Sequence, residues 1–144
     1  MKLISRDWAR SFFGNMSILI DDDYEDLPVK DTFTAGVEVR SLDGDFLIAT
    51  RTFFTMDDVV NTPEKALGLY KIDREQLSLI WGEGPPTSEI TSHLLAYSTG
   101  KGRALVHCHM DSVTALSGMI PLPEGYGWVD KMEPGSIELA NATM

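Results

Sequence analysis

The chain has 144 residues, 43% hydrophobic and 24% charged, the proportions of one globular domain over residues 1–144 rather than of a disordered or fibrous segment. Twelve basic side chains against 22 acidic ones leave a net charge of −10, which repels phosphate backbones and anionic lipids and argues against nucleic acid and membrane surfaces as partners. The single cysteine, Cys108, cannot close a disulfide within the chain, Arg6 and Asp7 interrupt the N-terminus before a signal-like apolar run develops, and no stretch approaches the ~18 apolar residues of a membrane span. A soluble, cytoplasmic protein is expected.

Ser5 can cap a short helix over residues 5–13, with Trp8, Phe12 and Phe13 along one side and Gly14-Asn15 ending it. Gly14-Asn15-Met16-Ser17 reads as a tight turn, and residues 16–20 as the strand that follows. The acidic run from Asp21 to Pro28 is a solvated loop, because it lacks the glycine and the ligand spacing of a calcium loop. Residues 33–40 and 45–54 flank Leu42-Asp43-Gly44, and Asp-Gly between extended runs predicts an antiparallel hairpin. A helical turn at 56–60 precedes strands at 67–72 and 76–81, which are separated by the polar turn Asp73-Arg74-Glu75. Ile90, Leu94 and Tyr97 fall at i, i+4 and i+7 ahead of Gly100, which predicts a helix over 87–99. A strand at 104–109 follows. Asp111 or Ser112 can then open a helix carrying Val113, Leu116 and Met119, and Gly135-Ser136 a last one through Leu139 and Ala140. The expected class is α+β, with helices covering a mostly antiparallel sheet.

Of the three histidines, His107 and His109 stand two apart on a predicted strand. Their side chains share a face at a spacing from which two imidazoles can reach one metal ion, and also one at which two half-buried histidines simply hydrogen-bond. Cys108 points to the other face, as a packed thiol. Glu89 opens a helix where the dipole favours a carboxylate, beside the hydroxyls of Thr87 and Ser88; this is an anion site in outline, though by themselves these residues read first as an ordinary helix cap. His93, one turn on, fits an orienting role. The Asn15 amide and the Ser17 hydroxyl can donate to an oxyanion.

In order and wording these pieces resemble the class II aldolase/adducin family. Gly14-Asn15-Met16-Ser17 comes first, then Pro86-Thr87-Ser88-Glu89 with His93 and Tyr97. Ala104-Leu105-Val106-His107-Cys108-His109 follows with Thr114-Ala115-Leu116-Ser117, and Gly135-Ser136-Ile137-Glu138-Leu139-Ala140 comes last. The resemblance implies a three-layer α+β fold and, as in catalytic members such as fuculose-phosphate aldolase, a zinc-dependent lyase. Such an enzyme cleaves a small phosphorylated hydroxy-carbonyl substrate through an enediolate. It implies His107 and His109 as zinc ligands, Glu89 as the proton carrier, and Gly14, Asn15, Thr87 and Ser88 around the phosphate. It also implies a homo-oligomer, with a tetramer the first choice. The family's third zinc histidine follows the Gly-Ser-x-Glu-Leu segment, and here no histidine follows His109; Glu89, His93 or a neighbouring subunit are the substitutes. The family's Thr-Pro-Thr/Ser-Gly phosphate loop is replaced by Ala49-Thr50-Arg51-Thr52-Phe53, where Arg51 can bind the anion directly. A non-catalytic module like the adducin head, or a sugar-phosphate dehydratase or epimerase, are the alternatives the family offers.

Overall fold

Among the described residues, the apolar runs spaced along the chain pair into one six-stranded antiparallel sheet. Its strands are β1 (Gly14–Ile20), β2 (Asp31–Thr34), β3 (Phe46–Thr50), β4 (Leu67–Asp73), β5 (Gln76–Trp81) and β6 (Ala104–Cys108), in the order β2-β5-β4-β3-β1-β6. The helices are α1 (Met56–Asn61), α2 (Pro63–Ala66), α3 (Ile90–Ser98) and α4 (Ile137–Ala142). The computed structural model describes residues 14–22, 24, 27–109, 121, 124, 130 and 136–142. The helices expected over 5–13 and from Asp111 or Ser112 through Met119 lie outside them, whereas the last helix expected, through Leu139 and Ala140, is α4.

α1 starts where the Thr55 hydroxyl accepts from the Asp58 amide and the Asp58 carboxylate accepts from the Thr55 amide, a reciprocal cap that satisfies two otherwise unpaired donors. β4 and β5, the two strands expected on either side of the polar turn, pair as a hairpin around Arg74, which takes φ 55°. α3 begins at Ile90 rather than 87, because the Thr87 amide is held by the Thr50 carbonyl at 2.8 Å and Glu89 occupies the N-cap position. It ends as expected at Gly100, whose φ of 71° suits a residue without Cβ and whose amide returns to the Tyr97 carbonyl at 2.9 Å. Ile90, Leu94 and Tyr97 press onto Leu19, Leu47, Tyr70, Leu77 and Leu79 of the sheet, and this forms the main core.

The hairpin predicted around Asp43-Gly44 does not form. The turn exists, with the Asp45 amide on the Leu42 carbonyl at 3.0 Å, but the strand expected over 33–40 stops at Thr34, and β2 pairs with β5 instead of β3. Residues 35–39 leave the sheet along the end of the β4–β5 hairpin, with the amides of Ala35 and Val39 on the carbonyls of Glu75 and Arg74. Ala35, Val39 and Leu42 drop into the core beside α3. The burial of those side chains, not the local alternation, decides their path. No helix among the described residues is long and apolar enough to cross a membrane.

Candidate active site

Gly14 and Asn15 were expected in a tight turn; they are instead the first residues of β1, paired with Cys108 and His107 of β6. Gly14 takes φ 146°, a backbone angle that a side chain would disfavour. The register sets Asn15 directly across from His107, so both project from the same face. His109 lies just beyond the strand on that face, and its Nε2 is 2.8 Å from Nε2 of His107, the rings 4.9 Å apart and inclined at 71°. Cys108, opposite Gly14, is half-buried rather than packed in the core.

A second strand end comes alongside. Arg51, just past β3, bridges to Pro86, and the Thr52 amide bonds the Pro85 carbonyl at 3.1 Å. The Tyr70 hydroxyl donates to the Gly84 carbonyl at 3.0 Å and pins the same loop. These bonds carry Thr87 and Ser88 next to Arg51 and set Glu89 at the head of α3. The result is a cavity of about 300 Å³ lined by His107, His109 and Glu89, with Gly14 and Asn15 on one wall and Arg51, Thr87 and Ser88 on another. Of the residues singled out by the sequence for the site, these eight line it, whereas Ser17 and His93 do not. Thr52, Phe53 and Phe54 line it too, and the sequence pointed to none of them, because 45–54 read as an unbroken strand. Phe53 is 85% exposed at φ 69°, so a phenylalanine holds the left-handed turn position where glycine is preferred.

The cavity has a defined electrostatic character. Burial and the neighbouring His109 lower the His107 pKa, partly opposed by Glu89, so the ring stays neutral, the form that ligates metals. The Arg51 guanidinium donates to the Lys65 carbonyl and stacks 4.8 Å from the Phe54 ring centroid. Its Nε is buried and has no partner among the described residues, as is true of Asn15 Oδ1. The Thr87 hydroxyl accepts from the Glu89 amide at 3.3 Å and keeps its own proton to donate.

Other expectations need correction. Ser17 does not donate into the cavity: it is buried, and its Oγ lies 2.6 Å from His93 Nδ1 and 2.7 Å from the Tyr97 hydroxyl. Glu89 sits at the N-cap of α3, ahead of its first turn. The donor chemistry of His107 and His109 fits zinc: two nitrogens bound to one tetrahedral zinc stand roughly 3.3 Å apart, so the rings need only part slightly. Among the described residues, no group of three His, Cys, Asp or Glu residues able to hold a metal ion occurs.

A family model for the class II aldolase and adducin N-terminal domain matches residues 1–143. The chain is similar to rhamnulose-1-phosphate aldolase of Escherichia coli O139:H28, 26% identical over 176 aligned positions that cover 96% of this chain and 64% of the relative. It is also similar to the enzyme of that name from Mannheimia succiniciproducens, at 28% over 177 positions and the same coverage. It therefore spans 64% of the length of these curated relatives. In fold it is similar to the crystal structure of a sugar-phosphate aldolase from Thermotoga maritima, with a TM-score of 0.74 and 24% identity over 99% of this chain and 71% of that one. With nearly every residue inside the family model, and with its antiparallel sheet and helices matched by that neighbour, the chain belongs to the class II aldolase and adducin N-terminal domain family.

Proposed function

We propose that the cavity between β1, β6 and the head of α3 performs metal-dependent aldol cleavage of a small sugar phosphate, with a ketose 1-phosphate such as rhamnulose 1-phosphate the first substrate to try. The observation that carries this reading is the convergence, in one cavity, of two imidazoles, a carboxylate, an amide, the hydroxyls of Thr87 and Ser88 and a guanidinium. Arg51, with an unmatched donor, and the hydroxyls of Thr87 and Ser88 take the phosphate. Asn15 takes a substrate hydroxyl at its unmatched oxygen, or a phosphate oxygen once its amide is turned over. His107 and His109 hold the metal, and a zinc ion there supplies Lewis-acid stabilisation of negative charge on the substrate's oxygens.

Glu89 moves the proton. The Glu89 carboxylate takes the hydroxyl proton on the carbon beyond the scissile bond, the C–C bond electrons pass toward the carbonyl and form an enediolate, and an aldehyde leaves. The carboxyl of Glu89 returns a proton to the enediolate carbon and releases a three-carbon keto phosphate.

The test supplies the chain with zinc, measures bound metal, and assays ketose 1-phosphates for aldehyde release. Expected are about one zinc per chain, lost in His107→Ala and His109→Ala, and zinc-dependent cleavage. Equal, negligible zinc in wild type and variants removes the enzyme reading in favour of a non-catalytic module. Zinc binding with dehydration or epimerisation instead of cleavage reassigns the reaction.

A further inference from the structure

Behind the metal-directed face of His107 lies a buried hydrogen-bond chain whose protons can be counted. The Tyr97 hydroxyl donates to the Ser17 carbonyl at 2.7 Å. Its one proton is then spent, so in the 2.7 Å contact between the two hydroxyls Ser17 is the donor and Tyr97 the acceptor. That uses the proton of Ser17 in turn. In the 2.6 Å contact with His93, therefore, Nδ1 carries the hydrogen and Ser17 Oγ accepts it. A neutral imidazole has one N–H, and burial holds His93 neutral, with its pKa pushed down to about 4. Nε2 of His93 is then a bare lone pair pointing away from Ser17. It is buried, in a side chain of 0% exposure, and has no partner among the described residues.

A cavity of about 330 Å³ borders this ring, and His107 and Glu89 line it as well. It is roomy enough for water, each molecule filling about 30 Å³. His107 turns Nε2 toward His109, which leaves Nδ1 as its second hydrogen-bonding atom. Histidines that ligate metals through one nitrogen generally donate from the other to a fixed acceptor, which sets tautomer and ring orientation.

We propose that His93 is a positioning residue for His107: its Nε2 lone pair, fixed by the Ser17–Tyr97 chain, accepts through a bridging water the hydrogen-bond relay from His107 Nδ1–H, holding His107 in the tautomer whose Nε2 is free to ligate. In the metal-free protein the 2.8 Å contact between the two Nε2 atoms then has His109 as donor and His107 as acceptor. The proposal rests on the assignment of His107 as a ligand.

Two measurements test it. In metal-free protein labelled with 15N-histidine, long-range 1H–15N correlation spectra report which nitrogen of each ring is protonated. Protonated Nδ1 on both His93 and His107 is expected; a proton on Nε2 of His93 overturns the proposal, whether or not zinc binds. The second compares His93→Asn, whose amide reaches the Nδ1 position and keeps the donor to Ser17, with His93→Gln, whose amide reaches the Nε2 position and keeps the acceptor. Competition with a zinc chelator should show affinity down about 10–100-fold in His93→Asn and near wild type in His93→Gln. Equal affinities, the reverse order, or a loss seen only in Glu89→Gln overturns it, the last by moving the relay to Glu89. A wild-type chain without zinc affinity removes the ligand assignment instead. The His93 assignment is then decided by the spectra, in which His107 should lose its single tautomer in His93→Asn.

Discussion

His93 and Glu89 lie one helical turn apart on α3, and their surroundings give them different work. His93 is wholly buried among groups that favour its neutral form, with its pKa depressed from an ordinary 6.5 to about 4 chiefly by burial and secondarily by His107. As pH falls the unfolded chain takes up this proton first. The stability contributed is therefore full above about pH 6.5 and is lost as pH drops toward 4, a span worth up to roughly 3 kcal/mol. Urea titrations from pH 7 to pH 4 should show this acid-side slope in wild type and a shallower one in His93→Gln; equal slopes would assign the loss to other groups. Glu89 opens onto the cavity and is half-buried. Glu89→Gln keeps shape and removes the base, so turnover of a verified substrate should fall about 10²–10⁴-fold with zinc content unchanged, and undiminished turnover would take the proton-carrier role away from it.

At the scale of elements, α3 ties the core to the site. Leu94, at 0% exposure, fills the space over β1, β3 and β4, while the same helix presents His93 to β1 and Glu89 to the cavity. Leu94→Ala should cost about 2–5 kcal/mol, read as a lower denaturation midpoint at unchanged slope. The loop ahead of α3 is held by β3 through the Arg51–Pro86 bridge and by Tyr70. Pairing of β1 with β6 sets Asn15 across from His107. The site is thus assembled from the ends of strands that are neighbours in the sheet and distant in the sequence.

For the whole molecule, the charge of −10 sets a long-range field against anionic substrates. Salt screens it within about 8–10 Å, so Arg51 and the neighbouring hydroxyls govern binding at contact range. Ile18, Trp81 and Val106 leave 39%, 45% and 44% of their surface exposed. Exposed apolar surface of this kind together with the family resemblance makes self-association the expected state, a tetramer first; light scattering at micromolar concentration checks it, and the mass of one chain refutes it. Much was legible in the sequence because it depends on local spacing: the i, i+4, i+7 stripe and Gly100 marked α3, the two-residue spacing put His107 and His109 on one face, and the polar turn at Arg74 separated β4 from β5. The ordered motifs pointed to the family and to the residues that line the cavity. What depended on contacts distant in sequence was not legible there. Residues 33–40 alternate like a strand, yet the open edge of β5 and the core beside α3 compete for them, and both win a part. Ser17 looked like a substrate donor until its register put it under Tyr97 and His93. Periodicity encodes which side of an element a residue faces, whereas which strand edge is filled, and which nitrogen of a buried imidazole keeps its proton, is decided only by the partners that folding brings within reach.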